Sequence, residues 1–142
     1  MKQIYLAWDG SISSPTMIGF LDVDQAGEFS NASKKPVKIL ETRFNDIPGK
    51  DYIPKDGGAL PGRRKIFIFV FFGRVVECSN SLKEVGKSAA GSQGKGDVFA
   101  VDLIEAPSAS EGIDGTAEYV SSFGRGSLES VLGAKWLPYY SD

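Results

Sequence analysis

Any chemistry done by this 142-residue chain must come from side chains it possesses, and it has no histidine and one cysteine, Cys78. No Ser-His-Asp triad, Cys-His pair or imidazole metal ligand can therefore be built. Cys78 cannot close a zinc site by itself. With no histidine to support a thiolate, it reads as a small buried apolar residue. A lone cysteine also rules out an internal disulfide framework, so reducing surroundings are tolerated.

Residues 81–88 (SLKEVGKS) come within one residue of a phosphate-binding loop, which needs glycine where Ser81 stands. Such a loop must open a helix that crosses back to a parallel strand, and that takes a dozen or more residues. The segment between Ser88 and the next apolar run at Val98 (AAGSQGKGD) is too short, so a hairpin loop is expected. Residues 22–27 (DVDQAG) open like a calcium loop, but Ala26 replaces the third ligand and Ser33 the bidentate glutamate. A turn closing a strand is the simpler account. Asp9, Asp102, Glu105 and Glu118 could do paired acid–base work. Their spacing places no two of them together, and acids alternating with apolar residues mark a solvated face. The sequence assigns no catalytic residue, metal or cofactor.

The remaining candidates are for contact. Residues 34–74 carry a net charge of +6 and the rest −8, giving −2 for the chain. Separated charges of this kind suit a partner that is another copy of the chain, although folding can also interleave them across neighbouring strands. Tyr52, Arg63, Arg64, Lys65 and the aromatic terminus containing Trp136, Tyr139 and Tyr140 are the expected interaction residues. Arginine and lysine at 63–65 could also face phosphates, but the sequence pI of about 5.2 argues against a dedicated nucleic-acid binder.

The elements that would position these residues are mostly strands. Period-two alternation sets Ile4, Leu6 and Trp8 on one face, and Met17, Leu21 and Val23 on another. Val37 and Ile39 begin a strand running to Phe44. Phe99, Val101 and Leu103 oppose Ala100 and Asp102, and residues 116–123 repeat the pattern. The run RRKIFIFVFFGR (63–74) places Phe67, Phe69 and Phe71 on one face and Ile66, Ile68, Val70 and Phe72 on the other. Both faces must be covered, the second by a loop such as 45–64 or by a neighbouring subunit. The flanking cations guard an aggregation-prone strand.

One helix is expected. Ser127 caps it, and Leu128, Val131, Leu132 and Trp136 form its stripe before Pro138 stops it. A helix around 81–85 is allowed but not specified by the pattern. Long connections at 45–64, 86–97 and 106–115 are rich in glycine, and no internal repeat is evident. The length and the 42% hydrophobic content fit one β-rich domain, residues 1–142. Its expected fold is mainly β, an antiparallel sandwich or small barrel of about seven to nine strands, with long loops and the short C-terminal helix. No signal peptide or membrane-length apolar run is visible, so the chain is expected to be soluble and cytoplasmic at synthesis.

Three functions fit. The preferred one is a non-enzymatic assembly protein, of virion or tail type, packing with copies of itself or with other assembly proteins. A small soluble binding or inhibitor module of the immunity or anti-defence kind is the alternative, and a carboxylate-based hydrolase the third.

Overall fold

The computed structural model describes residues 2–48, 62–90, 96–106 and 115–122. Within them the chain forms β1 (Lys2–Trp8), β2 (Met17–Phe20), α1 (Val23–Ala32), β3 (Lys38–Phe44), β4 (Arg63–Phe71), β5 (Arg74–Ser79), α2 (Leu82–Ala90), β6 (Asp97–Ile104) and β7 (Glu118–Ser122). The seven strands make one mixed, nearly closed, barrel-shaped sheet in the order β3-β1-β2-β6-β4-β5, with β7 also paired to β6. The mainly β, small-barrel expectation is borne out. The sheet is not purely antiparallel, because β2 runs parallel to β6. The helix expected at 127–136 lies outside the described residues. Among those residues, no helix is long and apolar enough to cross a membrane.

Alternation places the core as the sequence implied. Ile4, Leu6, Trp8, Ile66, Ile68, Val70, Phe99, Val101 and Leu103 point inward and fill the barrel with Met17, Phe44 and Cys78. Two smaller cores lie outside the sheet, one under each helix. α1 lays Ala26 and Phe29 on Ala7, Ile18 and Phe20, with the Phe20 and Phe29 rings 5.7 Å apart. α2 lays Leu82, Val85 and Ala89 on Phe67, Phe69, Val98 and Ala100.

α1 corrects the sequence reading, and α2 extends the short helix that the pattern allowed around 81–85. The turn expected at 22–27 is the start of α1: Asp22 is its N-cap and accepts from the Asp24 N–H at 3.2 Å. Val23 therefore leaves the strand face, and Val23 and Leu21 are exposed. The loop expected at 86–97 is α2 as far as Ala90, capped by Ser81, whose Oγ accepts from the Glu84 N–H. Gly86, Lys87 and Ser88 thus lie inside a helix rather than ahead of one, which removes the phosphate-loop geometry. α2 also covers the Phe67 and Phe69 face of β4, so neither the 45–64 loop nor a neighbouring subunit is needed there.

Six of the seven strands form one β-β-α-β unit made twice, with β7 outside it. In each unit a hairpin is followed by a helix and by a strand on the far edge of the first strand, giving β1-β2-α1-β3 and β4-β5-α2-β6. The capping residues Asp22 and Ser81, the mid-helix Gly27 and Gly86, and the strand starts Lys38 and Asp97 are each 59 residues apart. Registers match too: Tyr5 pairs with Phe20 and Glu41, and Phe67 with Ser79 and Ala100. The two seams between units repeat as well. Phe20 pairs with Ile104 and Asn45 with Ser79, both in parallel, and the same 59-residue offset converts one pair into the other. This repeat is structural, and apart from Gly27 and Gly86 it leaves little trace in residue identity.

Candidate functional site

The two ends of β4 present different chemistry. At its start, Arg64 donates to both Asp46 carboxylate oxygens, at 3.2 and 2.7 Å. It also lies 3.6 Å from Glu105 and stacks over the Phe44 ring. Lys2 reaches Asp46 at 2.9 Å, and Lys65 reaches Asp102 at 3.0 Å. Hydrogen bonding from Arg64 is the main force holding the Asp46 carboxyl down, from the ordinary 3.8 to about 2. Of the expected contact residues, Arg63, Arg64 and Lys65 are half-buried here. Arg64 and Lys65 pair with acids from β6 and its C-terminal neighbour, so the basic and acidic parts of the sequence meet within one molecule. Tyr52, Trp136, Tyr139 and Tyr140 lie outside the described residues.

Three of the four candidate carboxylates, Asp9, Asp102 and Glu105, have separate partners. Asp102 is bound by Lys65 and Glu105 approaches Arg64. Burial pushes the Asp9 carboxyl up, but the Ser11 and Thr16 N–H groups and the Ser11 hydroxyl donate to it and bring it below its ordinary value. Among the described residues no group of three or more His, Cys, Asp or Glu could hold a metal ion. Cys78 is 2% exposed, and burial, with Glu77 beside it, pushes its thiol far above the ordinary value. It is the inert core residue the sequence suggested.

At the far end of β4 the surface is apolar. The strand turns back through Phe72 and Gly73, with Phe71 and Arg74 as the closing pair. Both turn residues have positive φ, 51° and 71°, the backbone of a type I′ hairpin, where Asn-Gly or Gly-Gly is usual. Phe72 is therefore rotated off the strand face on which the sequence placed it. It stands 79% exposed, edge-on to Phe71 with ring centroids 4.4 Å apart. Beside it opens a groove of about 240 Å³ lined by Ile12, Val70, Phe71, Phe72, Gly73, Gly96 and Asp97. Ile12 is itself 56% exposed. Gly96 (φ 110°) forms the groove's back: a Cβ there would lie 2.5 Å from the Phe69 ring and 2.7 Å from the Val70 carbonyl oxygen.

Sequence reasoning missed this surface. Its signal was Phe72-Gly73 at the end of an alternating run, where a hairpin had to turn. A bulge adds to the local irregularity: Phe69 pairs with Glu77 and Val70 with Val75, leaving Val76 unpaired in the ladder and half exposed. The geometry offers a projecting aromatic beside an apolar recess, which is equipment for docking. No protein-family model matches the chain, and neither does any curated protein or any solved structure.

Proposed function

We propose that the protein is a non-enzymatic assembly subunit that makes its contacts through the barrel end around Phe72. One observation carries this reading. A phenylalanine occupies a turn position that disfavours it, and it projects into solvent beside an apolar groove rather than into any of the three cores. Exposing a large aromatic forfeits about 1.5–3 kcal/mol of burial, and left-handed backbone costs a non-glycine residue roughly 1–2 kcal/mol. The edge-on contact with Phe71 returns only part of this to the fold, whereas a docked partner recovers the burial. Large exposed aromatics of this type anchor protein interfaces.

A second reading, a small binding or inhibitor module for an unrelated protein, draws on the same surface. It is favoured by the internal pairing of Arg64 and Lys65 with acids, which leaves less of the charge separation available to bind another copy. Sedimentation velocity of the full chain over a wide concentration range tests the assembly reading. Concentration-dependent mass above that of the monomer is expected. A strict monomer up to millimolar concentration, purified from its source with no partner retained, would remove the support for it.

A further inference from the structure

We infer that the occupant of this groove is a second copy of the same chain, docked about a two-fold axis so that each Phe72 seats in the other's groove. The inference rests on the assembly reading and names its partner and symmetry. Knob and recess lie side by side on one surface: Phe72 is 79% exposed, and the groove it borders is walled by Phe71, Ile12 and Val70. A patch that carries both halves of a fit is complementary to its own copy under two-fold rotation.

The charges agree. Val70, the β4 residue at the groove, pairs with Val75 of β5 on one side and with Asp97 of β6 on the other. Arg74 sits on the β5 side next to the turn and is exposed, while Asp97 lines the groove on the β6 side. Two strand spacings, roughly 10 Å, separate their backbones. A two-fold axis through the groove exchanges the two sides, bringing each Arg74 over the partner copy's Asp97. Tyr119, whose hydroxyl donates to Asp97 at 3.2 Å, holds that carboxylate at the rim. An unrelated ligand would need no such pairing of opposite signs across the recess.

The test is sedimentation equilibrium of the full chain, with circular dichroism to verify folding. The wild type should form a dimer and no larger species, because an isologous contact closes on itself. Phe72→Asn keeps a residue suited to the turn and removes the knob, and should weaken the dimer at least tenfold. Arg74→Glu and Asp97→Arg should each weaken it about tenfold, since each places like charges together twice. Mixing the two variants should restore a heterodimer to within about threefold of wild-type affinity, because both contacts then join opposite charges. Arg74→Glu alters an exposed side chain and tests the pairing even if Asp97→Arg fails to fold. Self-association unchanged by Phe72→Asn, or folded variants that fail to complement, overturns the inference while leaving assembly through another surface. A wild-type chain that stays monomeric at millimolar concentration overturns the inference, and one that also retains no partner on purification from its source overturns the assembly reading as well.

Discussion

At the scale of single residues, Phe72 is where a folding role and the proposed docking role separate most sharply. Its φ of 51° puts it where Asn, Asp or Gly is favoured, and it belongs to none of the three cores, meeting the half-buried Phe71 edge-on. Phe72→Asn should therefore change stability by no more than about 1 kcal/mol, since a residue tolerant of left-handed backbone replaces one that is not, and this offsets the lost edge contact with Phe71. Urea denaturation measures this. A loss of more than about 1 kcal/mol would mean that Phe72 supports the fold, and the docking reading would lose its ground. Gly96 is the converse case, a glycine required by the close approach of Phe69 and Val70. Phe72 was hidden from the sequence because FIFVFF is apolar without a break, and nothing in those letters says which phenylalanine lies in the strand and which in the turn.

At the scale of elements, strands were legible while α1 was missed and α2 only allowed, for a physical reason. The strands alternate inward and outward residues against a filled barrel, and that period is written directly in segments such as VFAVDL and KIFIFVF. The helices need cover only a small outer patch each. α1 reaches its core with Ala26 and Phe29, and α2 with Leu82, Val85 and Ala89. Each carries a mid-helix glycine that argues locally for a turn. Tertiary burial over the sheet, together with the caps at Asp22 and Ser81, outweighs that preference. The consequence is testable in α2. Val85 is fully buried, so Val85→Asp places an unpaired charge over Phe67 and Phe69 and should cost at least about 3 kcal/mol, or abolish folding. Lys87 is exposed on the same helix, and Lys87→Gln should shift stability by no more than about 0.5 kcal/mol. Chemical denaturation of the pair distinguishes a helix that seals the outer face of β4 from one that merely lies near it. Equal, small effects would sink the sealing role.

At the scale of the whole molecule, the repeated unit makes the joint between halves the place to test cooperativity. Asp46 follows β3 at the seam where Asn45 meets Ser79, and it holds Lys2 at the start of β1 and Arg64 at the start of β4. Those two strands are the corresponding first strands of the two units, so one carboxylate clips both halves together. Asn80 reinforces the same seam, accepting from the Ile47 N–H and donating to the Ile47 carbonyl, both at 2.8 Å. The folded-state pKa of Asp46 is about 2 against an ordinary 3.8. A carboxyl depressed by folding binds protons more readily in the unfolded chain, so its contribution is complete above about pH 4 and is lost as pH falls through about 2. Asp46→Asn removes the charge at every pH. The difference in unfolding free energy between wild type and Asp46→Asn should thus be constant from neutral pH down to about 4 and shrink steadily below it. Urea unfolding at a series of pH values supplies the measurement. A difference that stays flat to pH 2 would mean that the charge on Asp46 does not hold the two units together, leaving their joint to the backbone pairing and to Asn80.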